Sequence, residues 1–212
     1  MNRENGFLFL LGKLTDSILL NLIFVLSCLP VVTIGISCTS VYYTVHKVLR
    51  QDRGYLWGEY QRAWRENFKQ AGSCWLFFAI IEMVLGVDTY IMYQVFRAGY
   101  AYGSIYIFFI VLFVLTILWM IYTFAYMARF VDTTKETLKN SAFMMILHFP
   151  KTLLLLAILG AAMFLVWLLP LFVLIVPILV VWFGEILLES IFVNYMAEED
   201  RKAEQKRSGK NY

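Results

Sequence analysis

Residues Ser27 to Cys38 read SCLPVVTIGISC and place Pro30, Thr33 and Gly35 inside an apolar run that extends from Ser17 to Leu49. As a single helix, that run would be about 50 Å long at ~1.5 Å per residue, against a hydrocarbon core of about 30 Å. It must therefore break. Pro30 has no amide to donate and Gly35 tolerates unusual dihedrals, while Val31, Val32, Thr33 and Ile34 between them favour extended geometry. Two short membrane helices, about 15–29 and 36–49, are expected to meet at an extended tip whose hairpin motif is Leu29, Pro30, Thr33 and Gly35. Neither half is a comfortable full span and His46 lies near the end of the second, so a re-entrant hairpin stands as the alternative.

A secretory signal is the competing reading, since Lys13 precedes an apolar stretch and VLSC ends at Cys28 like a lipoprotein cleavage box. The residues that follow stay apolar instead of turning polar, which argues against cleavage.

Outward from this stretch the composition is that of an integral membrane protein. Hydrophobic residues make up 61% of the 212 and charged residues 16%, where soluble domains carry about 25% charged. Four further runs are long enough to cross a bilayer, at about 72–96, 104–128, 151–169 and 171–196. Pro170 and Pro177 interrupt the last two, and the turn between antiparallel spans falls at one of them. The expected fold is all-α: one transmembrane domain over 1–212, a polytopic helix bundle of six membrane segments. It includes the short amino-terminal hairpin, amphipathic cytoplasmic helices and a basic cytoplasmic tail over 197–212.

Charge orients these segments. With the first region a hairpin, every Lys and Arg except Arg97 falls on one side, so the positive-inside rule places both termini in the cytoplasm and the tip outside. A single first span would move the amino terminus out at a modest cost in charge asymmetry.

Between Leu49 and Gly72 the chain mixes basic and aromatic residues. Arg53-Gly54 signals a turn, and Tyr60, Trp64 and Phe68 recur at helical spacing to form one aromatic face, with Arg62, Arg65 and Lys69 pointing elsewhere. A helix in the cytoplasmic interface, its aromatics among headgroups, is the expected arrangement; docking of a cytoplasmic partner is the other use of the same residues. The intervening spans argue against nucleic acid as a ligand. NFKQ at Asn67 to Gln70 and HFPK at His148 to Lys151 each precede a span, suggesting a repeated order of amphipathic helix and span.

Ionisable groups inside the membrane are costly unless paired or hydrated. Glu185 and Glu189 are four apart on the last span and share a face, and Glu82 is expected at a depth similar to Glu185. Together they are candidates for an acidic cluster that takes up a cation or protons. The alternative is that they are protonated or paired, with Arg129, Lys13 or a partner subunit. Asp88 should be solvated near the outer surface.

The cysteines Cys28, Cys38 and Cys74 form no CxxC pair and suit small-residue packing; the separated His46 and His148 do not by themselves define a metal site. Gly160, Ala161 and Ala162 permit close helix contact. No nucleotide loop, HExxH or Gly-x-Ser-x-Gly occurs, and no nucleophile has a base beside it, so neither enzymatic activity nor a cofactor is expected.

The stretch LPVVTIGISCTSVYYTVHKVLRQDRGYLWGEYQRAWRENFKQA, Leu29 to Ala71, resembles the YesL-type family of small bacterial membrane proteins of unknown function. The resemblance is closest from about Phe7 to Ala71. It is most specific at Leu29 to Gly35, Tyr42, Tyr43, Lys47, Arg50 and Asn67-Phe68-Lys69, while the rest agrees mainly in span placement and in TLKN at Thr137 to Asn140. Family members are associated with carbohydrate-uptake loci in Firmicutes. The resemblance thus implies a bacterial cell-membrane protein accessory to a sugar ABC transporter, with transporter subunits as partners; composition and spans make it multi-pass with the bilayer as partner, and a structural homo-oligomer stands as a third reading. The residues alone leave open a second reading, a small ion-coupled or substrate-binding transporter built on Glu82, Glu185 and Glu189.

Overall fold

The computed structural model describes residues 3–196; the basic tail expected over 197–212 lies outside them. It is all-helical, 87% helix with no strand among the described residues. Eight α-helices follow in order: α1 (Arg3–Cys28), α2 (Ile34–Thr44), α3 (Leu56–Glu66), α4 (Phe68–Arg97), α5 (Tyr106–Met127), α6 (Thr134–Leu147), α7 (Phe149–Leu168) and α8 (Val176–Phe192). Among the described residues, four stretches are long and apolar enough to cross a membrane: Leu11–Cys28, Phe68–Arg97, Ala101–Met127 and Phe149–Leu168. The two other segments counted from sequence are shorter. The α2 helix has 11 residues before a six-residue π-helical turn over Val45–Arg50, and α8 has 17.

The break in the first apolar run is where sequence places it, with a different shape. Pro30 is extended, but Val31–Thr33 wind into a 3₁₀ turn in place of an extended tip. The turn is closed by hydroxyls: Thr33 Oγ1 donates to the Ser27 carbonyl at 2.6 Å and Ser37 Oγ to the same oxygen at 3.1 Å, satisfying a carbonyl at the open end of α1. Gly35 has no unusual dihedral. It is required by space, since a Cβ there would lie 2.7 Å from the Phe124 ring and 2.7 Å from Trp75 Cβ.

That contact also locates the tip. Trp75 is near the start of α4 and Phe124 near the end of α5, and Ile36 packs with Ala71, Cys74, Phe124 and Met127. The tip thus lies at the same end of the bundle as the start of α4, whereas the expected threading put the two at opposite ends. From there α1 and α2 run antiparallel toward the other end. Buried Asn21 donates to the Leu174 carbonyl and accepts from Ile178 N at 3.1 Å, at the start of α8. It satisfies backbone groups that the turn before α8 leaves without helical partners. Both prolines start helical segments: Pro170 opens a 3₁₀ turn over Pro170–Leu174 and Pro177 sits in the first turn of α8.

The amphipathic helix α3 turns its apolar stripe inward. Leu56, Tyr60 and Ala63, spaced at helical period, are buried. They pack toward α1 and α2, so Tyr60 does not reach headgroups as the sequence suggested. The same periodicity serves protein packing as well as membrane packing, and here protein supplies the partner. Phe68 is separated from Trp64 by a helix junction at Asn67 and is partly exposed. The expected repeat order is present in outline: Asn67 alone separates α3 from α4, and His148 alone separates α6 from α7. A capping box starts α6, with Thr133 Oγ1 accepting from Glu136 N and the Glu136 carboxylate accepting from Thr133 N. The cysteines are free, with Cys74 buried and Cys28 and Cys38 half-buried. In the 51–55 turn, Gly54 takes a positive φ of 78°, as the Arg53-Gly54 signal anticipated.

Candidate functional site

The charged residues of α8 meet those of α2 and α5 in one buried network. Glu185, 1% exposed, accepts from His46 Nδ1 at 2.9 Å through Oε1 and pairs with Arg50 through Oε2. One turn on, Glu189 Oε1 accepts from the Tyr42 hydroxyl at 3.1 Å and forms an ion pair with Arg129, whose Nε lies 2.8 Å away. Tyr42, His46 and Arg50 recur every fourth residue along α2 and its continuation, so one side of that element supplies all three. The π-helical turn closes i to i+5, and it brings Gln51 Nε2 to His46 Nε2 at 2.8 Å.

These contacts assign the proton on His46. Gln51 can only donate from its amide nitrogen, so Nε2 accepts and Nδ1 carries the hydrogen given to Glu185. A neutral imidazole satisfies both neighbours. Among the described residues, two carboxylates thus face two guanidiniums, Glu185 with Arg50 and Glu189 with Arg129.

His46, Glu185 and Glu189 bring possible metal-ligating atoms within 4.8 Å of one another. Their donor set is an imidazole and two carboxylates, which divalent cations accept. Both carboxylates are already held by arginine, so a cation there would have to displace Arg50 and Arg129.

Glu82 stands apart. Its Oε1 accepts from Thr116 Oγ1 at 2.7 Å, and its buried Oε2 has no hydrogen-bond partner. Thr116 precedes Arg129 by thirteen residues, about 20 Å of rise at ~1.5 Å per residue. Glu82 therefore shares neither depth nor partners with Glu185, because α4 faces it toward α5. Lys13, the other suggested partner, pairs instead with Asp52 at 3.0 Å.

Next to the network is an apolar cavity of about 570 Å³ between α1, α2, α5, α7 and α8. Phe24, Val41, Leu159 and Val180 are among its walls, and Glu185 is the one charged residue on it. A sugar there would find few groups to replace its hydrogen bonds to water.

The docking residues proposed from sequence fall into two environments. Arg62 is tied into a surface cluster: its guanidinium donates to the Tyr43 hydroxyl at 2.5 Å and lies near Glu59 and Glu66. Lys47 joins Glu59 at 2.8 Å. Tyr60, by contrast, is buried and hydrogen-bonded to Ser27 at 2.5 Å; burial pushes its phenol pKa up. Arg65 is exposed, and Trp64 is half-buried against α1 and α2. Lys69 lies on the first turn of α4 and is exposed. Sequence reasoning missed His46, Arg50 and Tyr42 as partners of the α8 acids, and Gln51 behind His46, although the Tyr42, His46, Arg50 spacing was available to find the first three.

A family model described as "Protein of unknown function, DUF624" matches residues 17–89, a segment that includes α2, α3 and most of α4. This is the family of the YesL-type proteins. No curated protein and no solved structure matches.

Proposed function

We propose that this chain, whose residues 17–89 match the model of the YesL-type family, is a non-enzymatic membrane protein acting as an accessory or regulatory subunit of a carbohydrate ABC transport system. The observation that supports this reading is the buried network, in which both carboxylates of α8 are paired, Glu185 with Arg50 and His46 and Glu189 with Arg129 and Tyr42. An ion-coupled carrier needs acids that exchange their ligand, whereas these hold three helices together. The apolar cavity beside them is poorly suited to a sugar, and association with a sugar transporter is instead what the family's gene neighbourhoods suggest. The protein would then act through its surfaces, by helix faces and by α3.

In this reading the end where α4 begins faces the cytoplasm, because Lys69, Arg129, Lys135, Lys139 and Lys151 gather there. The end of α8 lies on the same side, where Glu189 meets Arg129. The contacts of Asn21 with the start of α8 favour an α1 that begins toward the opposite end, in place of an amino terminus beside the carboxyl terminus. With α2 and α8 embedded, six segments remain in the bilayer. Affinity purification of the full chain from native membranes, followed by mass spectrometry, tests the function. Transporter subunits should co-purify; recovery of the chain alone in several mild detergents would count against the reading.

The second reading, a small transporter using intramembrane acids, has one observation in its favour. Glu82 keeps a buried carboxylate oxygen without a hydrogen-bond partner.

A further inference from the structure

Most cations of the α2 and α3 region have partners. Lys47 pairs with Glu59, Arg50 with Glu185, and Arg62 with Glu59 and Glu66. Arg65 has no ion pair or hydrogen bond among the described residues. It borders a cavity of about 420 Å³ between α1 and α3. Ile23 and Leu26 of α1 face Trp57 and Trp64 of α3 across this space, and Gln61 lies one turn before Arg65. The Ser27 and Tyr60 hydroxyls, hydrogen-bonded at 2.5 Å, join the two helices there.

The lining separates two chemistries. Two indoles and two aliphatic side chains call for hydrocarbon, while the unpaired guanidinium and an amide donor at one edge call for an anion. A soluble anion would leave the apolar walls wet. A transmembrane helix from a partner or a second copy is too large, since a cylinder about 10 Å wide and 30 Å long encloses about 2,400 Å³. A lipid with a negative head and one chain in the cleft meets both demands. The cleft also lies at the end of the bundle where α4 begins, the end read above as facing the anionic cytoplasmic leaflet.

We propose that the cleft between α1 and α3 binds one anionic phospholipid, with its phosphate on Arg65 and Gln61 and an acyl chain against Ile23, Leu26, Trp57 and Trp64. This rests on the reading of the chain as membrane-embedded. The bound lipid would complete the contact of α1 with α3, so the surface offered by α3 would depend on the charge of the surrounding leaflet.

Native mass spectrometry of the full chain, released from micelles doped equally with phosphatidylglycerol and phosphatidylcholine, tests the site. A phosphatidylglycerol adduct should persist after the phosphatidylcholine adduct is lost. Arg65→Gln should lower its occupancy about fivefold, the roughly 1 kcal/mol that one cation contributes near anionic lipid. Arg62→Gln should leave occupancy unchanged, because that guanidinium is already paired. Leu26→Trp, which fills the cleft and retains Arg65, should also lower it. Equal retention of the two lipids, or equal losses in the two arginine variants, would overturn the proposal. Displacement of the adduct by glycerol phosphate, the headgroup without chains, would mark a soluble-phosphate site and overturn it as well. Loss of the chain from native membranes on carbonate extraction would instead refute the membrane reading itself.

Discussion

Replacing Glu185 with Leu removes the acid that Arg50 and His46 share, and the structure sets the size of the loss. Breaking a buried ion pair from one side costs about 3–5 kcal/mol, because the remaining charge is left uncompensated. Arg50 is 26% exposed and can recover some hydration, so Glu185→Leu should fall near the lower bound, about 3 kcal/mol. Arg50→Met leaves a carboxylate that is 1% exposed with His46 as its remaining donor, and should cost at least as much. The double variant removes both charges and keeps apolar volume. Its residual cost is the His46 hydrogen, about 1–3 kcal/mol for a donor left without an acceptor. Glu189 Oε1, 3.6 Å from His46 Nδ1, can take over part of that bond. The double variant should therefore be more stable than the sum of the singles by at least about 2 kcal/mol. Equilibrium unfolding in mixed micelles, followed by circular dichroism as the denaturing detergent is raised, measures all four corners of the cycle. Additivity within about 0.5 kcal/mol would show that the two residues do not act as a pair and would refute the network.

Gly35→Ala should destabilise by about 1–3 kcal/mol through overpacking against Phe124 and Trp75. Gly160→Ala, whose new methyl meets nothing within 4 Å, should be neutral or slightly stabilising in the same unfolding assay, and equal losses would refute the account of the tip. Thr133→Ala should cost about 1 kcal/mol by removing the α6 capping box, with Thr133→Ser restoring most of it in thermal unfolding. Glu82→Gln keeps an acceptor for Thr116 and should change stability by less than about 0.5 kcal/mol. A loss as large as that of Glu185→Leu would tie Glu82 to the charged network after all.

The helix break was legible because length forces it: no single helix from Ser17 to Leu49 fits a bilayer, and Pro30 marks the place. Its side was not legible. Charge counting treats Lys13, Lys47 and Arg50 as free cations that vote on topology, yet Lys13 pairs with Asp52, Lys47 with Glu59 and Arg50 with Glu185. Of the aromatic face expected from period, only Tyr60 belongs to the buried α3 stripe of Leu56, Tyr60 and Ala63; period cannot tell a protein surface from a headgroup layer, and the inward burial of Tyr60 depended on α1 and α2 folding back beside it. For the carboxylates, the shared face of Glu185 and Glu189 follows from their spacing. Their partners lie more than a hundred residues away for His46 and Arg50, and only tertiary packing brings those together. Glu82 was grouped with them on depth alone, and the orientation of α4 toward α5 separates it.

Proton and sodium flux into liposomes reconstituted with the purified chain tests most directly whether the α8 acids are a closed structural network. The expected result is flux no greater than in protein-free liposomes, with wild type and Glu185→Gln alike. Flux that exceeds this background and disappears in Glu185→Gln would contradict it, since the carboxylate would then be exchanging a ligand and not holding helices together.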